Sequence, residues 1–137
     1  MKQISAYLSF KGQCSEAMQF YQSCLGGTLS IQKVGESPVA AQCPESIHNQ
    51  VMHASLITGN ISLLGSDMEH PKYPISKGNQ IGLCIQCSSE EEIHRFFKGL
   101  SEGGKLIEPL QKQFWGALFG ELEDRFGIRW MFNYELV

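Results

Sequence analysis

FYQSCLGGTL, residues 20–29, returns further along the chain as FFKGLSEGGKL, residues 96–106. Both run from an aromatic pair through a short polar stretch to Gly-Gly, one polar residue and Leu. The offset is 96 − 20 = 76 at the aromatics and 103 − 26 = 77 at the glycines. Two copies at so long a period describe a duplicated module and not a solenoid. Ahead of the first copy, residues 4–10 alternate Ile4, Ala6, Leu8 and Phe10 against Ser5, Tyr7 and Ser9, which predicts a half-buried strand. A helix follows Lys11-Gly12, with Ala17, Phe20, Tyr21 and Cys24 on one face and Gly26-Gly27 as its stop. Residues 28–34 read as a strand and 35–48 as a loop. Residues 50–57 and 61–66 read as a hairpin turning at Thr58-Gly59-Asn60.

After a second loop over 67–79 the pattern begins again. Residues 80–86 alternate. Ser88 and Ser89 each have a Glu three residues on, the spacing of a capping box, and open a helix carrying Ile93, Phe96, Phe97 and Leu100. A strand over 105–110 ends near Pro109. Residues 117–123 and 128–134 form a last hairpin closed by Asp124-Arg125-Phe126-Gly127, a type I turn in residue choice. Each half therefore reads strand, helix, strand, strand, strand. The expectation is an α+β fold of two βαβββ modules, 1–66 and 80–137, joined by a linker over 67–79. Together they form a single domain over residues 1–137, with one open, curved mixed sheet and a cleft.

Bulk composition narrows the function classes. A chain of 137 residues with 42% hydrophobic and 18% charged side chains can bury a core without disulfides. The net charge of −3 and the lack of a Lys/Arg cluster argue against a nucleic-acid partner. No apolar run reaches the ~18 residues of a membrane span. The start, MKQISAYLSF, alternates like a strand and lacks the apolar core of a signal peptide, so a cytoplasmic location is expected. Five cysteines at irregular spacing fit a reducing compartment better than a disulfide framework. Cys84-Ile-Gln-Cys87 is formally a CxxC, but it lies late in a strand and has no second pair to complete a zinc site.

Alternation also sorts the faces. With the apolar set turned toward the helices, Ile81, Leu83, Ile85, Ile128, Trp130 and Phe132 go inward. The other face receives Ser5, Tyr7, Ser9, His53, Ser55, Gln80, Gly82, Cys84, Gln86, Arg129, Met131 and Asn133. A solvated sheet would carry more Lys, Glu and Thr. This mixture is closer to a pocket wall with a few polar anchors.

EAMQFYQSCLGGTL (16–29), VMHASL (51–56), EGGKLIEPLQ (102–111) and above all FWGALFGELEDRFGIRW (114–130) resemble the PhnB-like branch of the glyoxalase/bleomycin-resistance/dioxygenase (vicinal oxygen chelate) superfamily. The likeness spans nearly the whole chain. It implies a homodimer. It also implies that, in metal-using members, four cavity-facing His, Gln or Glu residues hold a divalent ion. Carried over strand by strand, those positions are Ser5, Ser62 or Leu64, Gln80 and Met131. Only Gln80 is a donor of the required kind, so neither metal nor cofactor is expected. Some members of this branch carry a demethylubiquinone methyltransferase label. The sequence has no glycine-rich strand-to-helix loop for such a cofactor.

The expected ligand is therefore a small polar or anionic molecule, held by Tyr7, His53, Gln80, Trp115, Arg129 and Asn133. His53 is the candidate base, or else a strand histidine bonded to a neighbour. Arg129 either grips an anion or pairs with Glu121 or Glu123. Trp115 is either a pocket wall or a dimer edge. His48, His70 and His94 are expected in solvent. The alternatives are a metal-dependent lyase, isomerase or dioxygenase with displaced ligands, and a non-catalytic interaction protein.

Overall fold

The computed structural model describes residues 2–136. They form two compact units, Met1–Ser76 and Lys77–Val137, each one βαβββ module. In the first, β1 (Ala6–Ser9), α1 (Cys14–Leu25), β2 (Thr28–Lys33), β3 (Val51–Thr58) and β4 (Ile61–Ser66) give a sheet in the order β1-β4-β3-β2. In the second, β5 (Leu83–Gln86), α2 (Glu90–Ser101), β6 (Lys105–Lys112), β7 (Ala117–Glu123) and β8 (Arg129–Glu135) repeat it as β5-β8-β7-β6. Both are mixed. The first strand of each module pairs parallel with the last, and the remaining ladders are antiparallel. In place of the expected continuous sheet, the strands form two sheets of four, in each of which the first strand of a module pairs with its last.

The repeated Gly-Gly has a physical reason that recurs in both copies. Gly26 and Gly103 take φ of 79° and 74°, the left-handed turn that ends a helix. The next glycine lets two backbones touch. A Cβ on Gly27 would lie 2.5 Å from the Ile57 carbonyl oxygen, and one on Gly104 would collide with that of Glu123. Each pair therefore stops a helix and starts a strand against the far end of the neighbouring strand.

The helices cover one face of their own sheets. Cys14, Ala17, Met18, Phe20, Tyr21 and Leu25 of α1 are buried with Leu8, Ala54, Leu56 and Leu63. Ile93, Phe96 and Leu100 of α2 are buried with Ile85, Leu122, Trp130 and Phe132, the last two at 1% and 0% exposure. At ~1.5–3 kcal/mol for each fully buried large side chain, this face is what holds each module.

Two expected strands differ in extent. The strand expected over 80–86 begins only at Leu83, and Ile81 is exposed instead of inward. Its partner β8 starts at Arg129, so residues before 82 would face the Asp124–Gly127 turn and find no ladder. The strand expected to end near Pro109 runs on to Lys112, since β6 is a sheet edge where Pro lacks no ladder bond.

Candidate functional site

The face that α2 leaves uncovered is built in rows by strand register. One row is Cys84, Met131, Glu121, Glu108, and the next is Gln86, Asn133, Phe119, Gln111. Arg129 stands at the start of β8, opposite Glu123. Its Nε donates to Glu121 Oε2, and its Nη1 donates to the Asn79 carbonyl at 3.3 Å. Among the described residues, Nη2 finds only the Met131 sulfur, at 3.9 Å. Of the two pairings open to Arg129 from the sequence, it takes Glu121. Glu123 turns to Lys77, with Nζ to Oε1 at 3.4 Å. The guanidinium is thus fixed in direction while the Nη2 edge stays without an oxygen partner.

Asn133 Nδ2 donates to Gln86 Oε1 at 2.9 Å, making an amide pair on the same face. Phe119, in the same row, lies 6.0 Å from the Trp115 ring at a 68° tilt. Trp115 in turn meets Phe114 edge-on at 5.0 Å. Trp115 is 53% exposed and Phe114 96%. Gln80 is exposed and lies outside the strand, three residues before β5, so it does not stand in either row.

The uncovered face of the first sheet is different in character. Tyr7, Leu64, Ser55 and Ser30 make one row, and His53 stands opposite Gln32. The Tyr7 and His53 rings are 6.4 Å apart at 41°. Both are exposed, and among the described residues no hydrogen bond is found at the imidazole. Ser5 and Ser62 share a hydrogen bond of 2.9 Å.

Two carboxylates make structural bonds that the sequence reading did not assign. Asp67 is buried. Its Oδ1 accepts from the Gly12 and Cys14 amides and its Oδ2 from the Val51 amide, all at 2.9 Å. It thereby caps α1, whose own N-cap residue Gln13 supplies no side-chain bond. Asp124, 3% exposed, accepts at Oδ1 from the Phe126 and Ile128 amides (2.8 and 3.0 Å) and at Oδ2 from the Trp130 indole (2.8 Å). His48 was expected in solvent. It is half-buried, and as the Nε2–H tautomer it donates toward the Ala40 and Cys43 carbonyls at 2.9 and 3.2 Å, tying down the 34–48 loop. The sequence signal for Asp67 and Asp124 is faint, namely an acid directly after a strand.

Burial, reinforced by Asp67, pushes the Cys14 thiol up to about 12. Burial, reinforced by Glu92 and Cys84, pushes Cys87 up to about 12, and burial also raises Cys84. The CxxC therefore lacks the lowered thiol that redox work needs. All five cysteines are free. Among the described residues, no group of three or more His, Cys, Asp or Glu side chains could hold a metal ion, and no helix is long and apolar enough to cross a membrane.

A groove of about 690 Å³ lies elsewhere, between α1 and edge strand β2, lined by Gln19, Gln22, Ser23, Leu29 and Ile31. It is open to solvent and holds no titratable side chain, so the uncovered faces remain the better candidates.

Residues 2–132 match the model of the 3-demethylubiquinone-9 3-methyltransferase family. Protein PA1353 from Pseudomonas aeruginosa is 40% identical, covers 98% of each chain and superposes with a TM-score of 0.86. A PhnB protein from Bacillus cereus, described as a possible member of the same methyltransferase family, is 25% identical over 97% of this chain and 99% of its own, with a TM-score of 0.73. A glyoxalase/bleomycin resistance protein/dioxygenase family enzyme from Burkholderia phytofirmans shares the fold at 14% identity. It covers 96% of this chain and 98% of its own, with a TM-score of 0.63.

Proposed function

We propose, for a chain that belongs to the PhnB-like family matched by the 3-demethylubiquinone-9 3-methyltransferase model and has the glyoxalase/bleomycin-resistance fold, that it binds a small polar or anionic molecule on an uncovered sheet face without a metal. The observation that carries this is Arg129. Glu121 and the Asn79 carbonyl fix its guanidinium, its Nη2 edge lacks an oxygen partner among the described residues, and the Asn133–Gln86 amide pair lies further along the same face. A guanidinium fixed in this way loses little freedom when an oxyanion arrives.

The donor set does not fit the superfamily's divalent ion. Leu64 has no donor atom, Met131 offers a thioether with the Arg129 cation 3.9 Å away, and Ser5 and Ser62 are neutral hydroxyls bonded to each other. Gln80, the remaining donor, lies outside the strand. Hard dications take several oxygen or imidazole ligands, and a neighbouring guanidinium repels them. Nor do the mixed sheets offer the parallel strand, glycine-rich turn and helix that a Rossmann-type methyltransferase site requires.

On the first sheet, Tyr7 and His53 are the proposed polar contacts, with His53 as the candidate base. Gln80 and Trp115 complete the proposed contacts on the second unit. The single-domain reading, a cytoplasmic setting and a homodimer belong to the same proposal. The setting is supported by five free thiols, and the dimer by uncovered Leu106, Ile107 and Phe114. The test is thermal stabilisation by phosphate and acetate in the presence of a chelator. The wild type should be stabilised and Arg129→Ala should not. Equal responses would remove Arg129 as the anchor.

A further inference from the structure

We infer that the ligand of the second-sheet face is a planar aromatic or heteroaromatic molecule carrying an amide or lactam edge. The inference rests on the binding role proposed above and names its chemistry. Three observations converge. Trp115 and Phe119 meet edge to face at 6.0 Å and 68°, and Trp115, half exposed, offers ring surface on which a further ring can stack. Phe119 shares its row with Asn133 and Gln86, so the aromatic corner and the amide pair lie on one face of neighbouring strands. The Asn133–Gln86 bond uses one N–H and one oxygen. That leaves Asn133 Oδ1 as an acceptor and the Gln86 amide as a donor whose only other neighbour is the Cys84 sulfur at 3.7 Å. Exchanging the amide O and N on both residues changes which residue donates, but the pair still offers one donor and one acceptor. A primary amide or lactam has the complementary pair on one edge.

The chain has only two tryptophans, so the test reads two indole N–H resonances by nuclear magnetic resonance. Trp130, buried and bonded to Asp124, reports folding, and Trp115 reports the site. Benzamide should move the Trp115 resonance saturably and leave that of Trp130 in place. Its affinity should be about fivefold or more above that of cyclohexanecarboxamide, which has the same amide on a saturated ring. Asn133→Ala should weaken benzamide about fivefold with Trp130 unchanged. Trp115→Ala, at an exposed turn, should abolish the preference for the aromatic ring. Equal affinity for the two amides overturns the inference. Benzamide failing while phosphate still stabilises the wild type through Arg129 overturns it too, but leaves the binding role standing. Failure of every probe removes both. A Trp115 resonance that moves with protein concentration alone assigns the corner to a second copy of the chain and overturns the ligand.

Discussion

The two modules share strand order, helix length and the Gly-Gly stop, yet they begin their helices and finish their open faces differently. Helix α2 is capped from its own sequence: Ser89 Oγ accepts from the Glu92 amide at 3.0 Å, and Glu92 accepts from the Ser88 amide at 2.8 Å. Helix α1 borrows its cap from Asp67, 53 residues away from the Cys14 amide it holds. The same contrast marks the faces. In the first module the uncovered row is Tyr7, Leu64, Ser55 and Ser30, without a formal charge. In the second the rows carry Glu108, Glu121 and, at the start of β8, Arg129. The covered faces are what packing fixes. The uncovered ones are free to differ, and that is where a binding role is to be sought.

The largest expected effect concerns the thiols beside the two helix starts. With Cys14 and Cys87 raised to about 12 from 9.0, each should hold about a thousandfold less thiolate than an unshifted thiol at any pH below 9. Alkylation followed by mass spectrometry should find both slow at pH 8. For Cys14, which is raised in the folded state, the linked stability is intact below pH 9 and lost as pH climbs from 9 through 12. Rapid labelling of Cys14 at pH 8 in folded protein would remove the buried contact with Asp67. Next come the buried carboxylates. Asp124→Ala strands three donors, including the Trp130 indole, and should cost about 4 kcal/mol in urea unfolding. Asp67→Ala should cost about 3 kcal/mol. Ser89→Ala, the local cap, should cost about 1 kcal/mol. If Asp67→Ala proves no worse than Ser89→Ala, the remote cap is not what starts α1, and the contrast between the modules collapses. The smallest effect is on binding. Glu121→Gln releases Arg129 and should tighten phosphate about fivefold by calorimetry, while Ser55→Ala on the uncharged face should leave it unchanged.

What could be read in the sequence is what local chemistry decides. The Gly-Gly pairs, the Ser89 cap, the Asp124–Gly127 turn and the inward course of Trp130 and Phe132 all follow from spacing and residue type. The choice of Arg129 partner needed strand register, which sets Glu121 opposite Met131 and Glu123 opposite Arg129 without saying which acid bends back. Gln80 was misplaced because alternation continues past the point where β8 can pair. The bonds of Asp67 and His48, and those of the Asp124 carboxylate beyond its turn, were not read because their partners, main-chain groups and the Trp130 indole, are fixed by the fold and not by residue identity. The joining of Asn133, Gln86, Phe119 and Trp115 likewise depends on which strands become neighbours.

The most direct test of a metal-free binding face is elemental analysis of the protein purified without chelators. The donor set of Ser5, Ser62, Leu64, Gln80 and Met131 predicts zinc, nickel, manganese and iron far below one ion per chain. A stoichiometric content of any of these, lost together with ligand-induced stabilisation on chelation, would contradict it.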